Sequence, residues 1–172
     1  MRGFIKNSKI LIFELIFLIA SGLNSQAFNV KQYAKTNRLP VHITANKLEA
    51  FDKKGLYIFS GNVVVKRGDT TLKADKIKVY KSLKSGDISK IVCIGHVVIT
   101  KQDKKAVANR ATYFAAEDKV VLEGNAHVYS NKNSISSDMI VYYLDKDYAV
   151  SQSDNNSKRV EVIIYPSKKE KK

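Results

Sequence analysis

The chain has 172 residues, a length that fits one domain, and 44% of them are hydrophobic, with no Trp and two prolines. Its single cysteine, Cys93, excludes an internal disulfide and a cysteine metal cluster. The formal net charge is +14, of which residues 1–27 contribute +2 (Arg2, Lys6 and Lys9 against Glu14), leaving +12 on the rest. A charge of that size attracts polyanions: nucleic acid, anionic lipid head groups or phosphorylated glycolipids. Abundant lysine also simply solubilises a strand-rich protein, so charge alone does not choose among these.

The N-terminus reads as a targeting segment. Residues 1–9 are basic, residues 10–20 form an apolar run of 11, and residues 21–27 are polar and small, with Ser25 and Ala27 spaced as a small-x-small cleavage site. This predicts a secretory signal peptide, 1–27, cleaved between Ala27 and Phe28. The alternative is an uncleaved anchor. Spanning a bilayer takes about 20 apolar residues, and Glu14 inside the run costs about 2.5–3.5 kcal/mol on insertion scales. Export makes nucleic acid an unsuitable partner and places Cys93 in an oxidising compartment without an internal mate. Residues 28–39 are then a flexible leader, 40–166 the folded domain bracketed by Pro40 and Pro166, and 167–172 a basic disordered tail.

From residue 41 onward, Val, Ile, Tyr and Phe alternate with period 2, which predicts an all-β domain. One element recurs four times: ITANKL at 43–48, LKADKI at 72–77, AVANRA at 106–111 and ISSDMI at 135–140. Taken at Ala45, Ala74, Ala108 and Ser137, the spacings are 29, 34 and 29 residues. A second element lies between the copies: GNVVV at 61–65, GHVVI at 95–99 and GNAHV at 124–128. From Asn46 to Gly61 and from Asn109 to Gly124 is 15 residues, whereas Asp75 to Gly95 is 20, and the extra five fall at a loop insertion near Ser82 to Gly86.

The inward parity slips by one residue inside each copy of the first element, at Asn46, Asp75, Asn109 and Asp138. A strand keeps one face inward across such a slip only by bulging or bending. Four slips in register predict an edge at which strands turn from one sheet into a facing one, as in a jelly roll. In the second element the parity runs through the glycine, from Phe59 to Val63, from Cys93 to Val97 and from Leu122 to Ala126. Those glycines mark either a corner or a thinned wall that leaves room inside.

The parity places Val41 and Ile43 inward on the first strand, then Tyr57, Phe59, Val63 and Val65, then Leu72 and Ile77. It continues with Ile91, Val97 and Ile99, then Tyr113, then Leu122 and Val128, and last Ile140 and Tyr142. No reaction centre is legible. His42, His96 and His127 fall outward, with neither a second His nor a carboxylate at ligand spacing, so no metal and no cofactor is expected. There is no phosphate-binding loop and no nucleophile elbow. Asp75 and Asp138 alternate with Asn in the repeat, which suits a turn role rather than a general acid. Cys93 lies on the inward face as a buried, inert thiol.

Several stretches resemble a known family: PVHITANKL at 40–48, FSGNVVV at 59–65, KADKI at 73–77, VVLEGNA at 120–126 and KRVEV at 158–162. In order, spacing and leading signal peptide they are similar to the LptA/OstA-like periplasmic lipopolysaccharide-transport proteins. The resemblance implies an open antiparallel β-jelly roll of two facing sheets whose apolar interior accepts lipid A acyl chains. It implies a non-enzymatic bridge between the membranes, with head-to-tail self-association and edge-strand pairing to an LptC-like inner-membrane protein and an LptD-like translocon. The family's lipid-contacting positions near the first strand fall on Val41 and Ile43. The segment from Gln102 to Ala106 is shorter than the family pattern, which leaves the register of residues 100–112 open. The alternatives are a membrane-anchored LptC-like partner and a structural periplasmic β-protein with a filled interior that binds no lipid.

Overall fold

The computed structural model describes residues 39–146, 148–153 and 159–166. The predicted signal peptide, all of the leader but Leu39, and the basic tail lie outside the described residues. Ten strands follow one another among the described residues: β1 (His42–Thr44), β2 (Lys47–Phe51), β3 (Leu56–Arg67), β4 (Thr70–Lys81), β5 (Ile88–Lys101), β6 (Lys104–Phe114), β7 (Lys119–Ser130), β8 (Asn133–Tyr143), β9 (Tyr148–Gln152) and β10 (Glu161–Ile163). A 3-10 turn, Asp52–Lys54, joins β2 to β3. β3 to β8 form an antiparallel meander. β1 and β2 pair with successive halves of β3, and β10 and β9 with successive halves of β8. Among the described residues no pairing joins the two ends, so the sheet is open.

The strands of the meander are 11 to 14 residues long, about twice the common length, because each is bent at its middle. The register slips between Ser60 and Val63, Ile94 and Val97, and Glu123 and Ala126. The extra residues are Gly61 and Asn62, Gly95 and His96, and Gly124 and Asn125, all at positive φ, a region that Asn and His enter more readily than most side chains. Facing them, Asn46, Asp75 and Asn109 and the residue after each are exposed, so the parity of that strand changes where the repeat predicted. A Cβ on Gly61, Gly95 or Gly124 would lie 3.0 Å from the Cβ of Asn46, Asp75 or Asn109 respectively. The space opposite each glycine is thus taken by a side chain of the neighbouring strand. The corner reading of these glycines holds, and the expectation that they leave room inside does not.

The line of bends divides the sheet into two leaves. The first leaf carries β1, β10 and the hairpins at 68–69, 102–103 and 131–132; the second carries β2, β9 and the connections that include 52–55, 82–87, 115–118 and 144–146. Buried apolar residues of both leaves, from Val63 and Ile99 to Ile77 and Tyr142, form one cluster. No other described element could cover them, so the leaves face each other as a jelly roll. The predicted insertion is the 82–87 loop, closed by Ser82 N–H donating to Asp87 O at 2.8 Å. The open register is settled by a two-residue hairpin in which Lys101 pairs with Lys104 and Gln102 takes a φ of 53°.

Candidate lipid-binding interior and its open edges

Cross-strand pairing turns the alternation into continuous inward rows. Along the first leaf one row runs Ile43, Val65, Leu72, Ile99, Ala106, Val128, Ile135 and Val162. Nearer the bend lie the pairs of Val63 with Ala74 and Val97 with Ala108, and of Ala126 with Ser137. On the second leaf a row runs Leu48, Phe59, Ile77, Cys93, Ala111, Leu122, Ile140 and Ser151. The next runs Ala50, Tyr57, Val79, Ile91, Tyr113, Val120, Tyr142 and Ala149. Every predicted interior residue from Ile43 to Tyr142 stands in one of these rows, while Val41 precedes β1 and is exposed. The alanines at 74, 106, 108, 111 and 126 share the rows and were missed as site residues, although the same parity marks them. Their small side chains let the leaves approach closely.

The rows are packed. Val63, Val97 and Ile99 are 1% exposed and Ala126 is 0% exposed. The expected hollow is therefore closed along its middle, because apolar faces left open to water would be unfavourable and the leaves come together over them. A described pocket of about 220 Å³ lies at the bend beside β7 and β8, lined by Asn125, His127, Ser136, Ser137, Asp138 and Arg159. The apolar interior reaches solvent instead at its two unpaired edges. Of the inward rows, Ile43 and Leu48 are exposed at the N-terminal edge and Val162 at the C-terminal one, with Leu48 55% and Val162 52% exposed.

The polar groups play structural parts. Desolvation pushes the Cys93 thiol up to about 12, which keeps it protonated and inert. Tyr113 OH donates to Asp118 Oδ1 at 3.3 Å, and burial holds the Asp118 carboxyl above its usual range. His96 does meet a carboxylate, contrary to the expectation from spacing: its Nδ1 lies 2.8 Å from Asp75 Oδ2. The two are 21 residues apart and are joined only by the β4–β5 register at the bend. The pair replaces the Asn–Asn combination of the other bends and is exposed, so it belongs to the corner. At the rim of the second leaf, five lysine ammoniums lie over aromatic rings: Lys54 on Phe51, Lys81 on Tyr57, Lys90 on Tyr80, Lys119 on Phe114 and Lys146 on Tyr143.

A bent, unclosed sheet with an apolar inner face, cationic rims and exposed edges is the architecture of a carrier for amphiphiles. Residues 42–148 match the family described as "LptA/(LptD N-terminal domain) LPS transport protein". The chain belongs to that family, which is one of transport proteins and not of enzymes. It is 32% identical over 163 residues to the lipopolysaccharide export system protein LptA of Escherichia coli K12, covering 90% of this chain and 86% of that protein. It is 29% identical over 143 residues to the export system protein LptH of Pseudomonas aeruginosa, covering 76% and 81%. The crystal structure of LptH, described as the LptA-homologous periplasmic component of the lipopolysaccharide transport device of that organism, superposes with a TM-score of 0.62. That match is 24% identical and covers 74% of this chain and 96% of the other, and it supports the fold.

Proposed function

We propose that this protein carries lipopolysaccharide through the periplasm towards the outer membrane, with the lipid A acyl chains held on the inward rows between the leaves. The observation that carries the reading is the continuity of those rows out to terminal strands whose outer edges are unpaired. Acyl surface laid on them is removed from water at about 25 cal/mol per Å². Because the rows are packed against each other, a chain enters by parting the leaves from an edge or from the mouth opposite the bends. The same edges can add a partner's strand, and an isologous closure is not needed: β1 and β2 of one copy meeting β10 and β9 of the next gives a head-to-tail bridge. An LptC-like inner-membrane protein and the N-terminal domain of an LptD-like translocon take the terminal places. Residues 1–27 are removed by cleavage after Ala27, and among the described residues no helix is long and apolar enough to cross a membrane.

Photo-crosslinking from Val41, Ile43 and Val63 in cells tests the interior route, with outward Lys66 as control. Lipopolysaccharide adducts from the first three and not from Lys66 are expected, and adducts from Lys66 alone would refute the route. Ile43→Glu should weaken lipid binding while export continues. The close packing favours one other reading, a structural β-protein with no lipid inside, which the absence of any adduct at Val63 and Ile43 would establish. Mass spectrometry of the mature protein decides the N-terminus: a chain starting at Phe28 fits the soluble bridge, and an intact one fits the anchored partner.

A further inference from the structure

At the mouth of the first leaf the last inward position of each strand is polar. Arg67 pairs with Thr70, Thr70 with Lys101, Lys101 with Lys104, Lys104 with Ser130, and Ser130 with Asn133. Each stands two residues beyond a member of the apolar row that contains Val65 and Ile99, hence on the same face and about 7 Å further out. Thr70 and Ser130 are both 2% exposed, whereas the three cations are half-buried. Ser130 Oγ has no hydrogen-bond partner among the described residues, and Thr70 Oγ1 reaches only Asp69 Oδ1, at 3.4 Å. Among the described residues no carboxylate comes within ion-pair distance of Lys101 or Lys104. The opposite rim also carries cations, but Lys54, Lys81, Lys90, Lys119 and Lys146 there lie over aromatic rings, and its mouth presents Tyr113, the partly buried Asp118 and buried Leu144.

A buried hydroxyl without a partner is unfavourable and is rare in native proteins unless water, an ion or a ligand supplies the missing bond. Two buried hydroxyls interleaved with two lysines and an arginine offer the donors that a tetrahedral oxyanion accepts. An apolar row begins one inward step below them. We propose that this row is a phosphate seat, in which Lys101, Lys104 and Arg67 with the hydroxyls of Thr70 and Ser130 hold a phosphate monoester of the head group whose acyl chains lie on the rows beneath. The seat rests on the lipid-carrier reading and sharpens it. It turns the head group towards the first leaf, away from the Asp118 rim, and gives the bound amphiphile a fixed orientation.

The test measures binding of bisphosphorylated lipid A, the same lipid enzymatically dephosphorylated, and inorganic phosphate to the purified protein and to Lys101→Glu/Lys104→Glu. The wild-type protein should prefer the phosphorylated lipid by at least about tenfold, one charge-assisted contact's worth. The variant should lose that preference and keep its affinity for the dephosphorylated lipid. Lys101→Gln/Lys104→Gln, which removes charge without adding repulsion, should give a smaller loss in the same direction and serves if the first variant does not fold. Equal wild-type binding of both lipids overturns the seat and leaves the carrier reading intact, as does a preference unchanged in the variants. Saturable binding of inorganic phosphate that leaves both lipid affinities unaltered also overturns it, by making this a site for the free ion. Wild-type protein that binds neither lipid ends both proposals.

Discussion

Replacing Gly124 with alanine tests the bend that makes two leaves out of one sheet. Gly124 sits at a φ of 73°, and an added Cβ would lie 2.8 Å from Asn109 Nδ2, 3.0 Å from its Cβ and 3.2 Å from its Cγ. The amide can swing away, but the Asn109 Cβ is fixed to the β6 backbone, so the two strands must separate locally. Holding an L-residue in the left-handed region costs about 1–2 kcal/mol, and forced separation in a packed region adds about 1–3 kcal/mol. Gly86 separates the two effects. Its φ is 72° with nothing within 4 Å of an added Cβ, so Gly86→Ala carries the backbone strain alone. Urea unfolding followed by circular dichroism should show Gly124→Ala less stable than wild type by about 2–5 kcal/mol, and less stable than Gly86→Ala by the clash component. The smaller denatured-state benefit of Gly→Ala, about 0.4–1 kcal/mol, is common to both and cancels between them. Equal midpoints for the two variants, with unchanged slopes, would refute the view that Asn109 fills the space opposite Gly124.

Three further outcomes follow from the same packing. Ala126→Leu should lower stability by about 1–3 kcal/mol, since Ala126 is fully covered; a neutral or stabilising result in a melt would mean that the interior is hollow after all. Burial holds the Asp118 carboxyl above its usual 3.8, with Tyr113's hydrogen bond opposing and Asp145's charge adding, so the folded state retains that proton more tightly than the unfolded one. Stability from this group is therefore lost as pH rises from about 3.8 through the raised value, and Asp118→Asn should gain on wild type between pH 4 and pH 7 in paired unfolding curves. A gap that stays constant or reverses would contradict the assignment. Cys93, with its thiol pushed up to about 12, should resist iodoacetamide at pH 8 in the native protein and react fully in urea; comparable rates in both states would place it outside the core.

The sequence by itself determined the strands, the inward face and the line of bends. Side chains of a strand alternate with a period of 2 whatever the strand pairs with, so the inward assignment of residues such as Phe59, Ile99 and Leu122 needed only local order. The repeat copies marked the bends for the same reason, since a parity slip is visible within six residues. Only the tertiary structure decided what each bend faces and what the leaves do to each other. Gly124 meets Asn109 across 15 residues of chain and His96 meets Asp75 across 21. Nothing local distinguishes those partners from their neighbours until strand register brings them together. The packing of the rows was illegible because alternation states which way a side chain points, not how far away the opposing leaf stands. The polar row at the mouth has the same origin: Arg67, Lys101, Lys104 and Ser130 read singly as hairpin ends, and they become one site only when five strands lie in register.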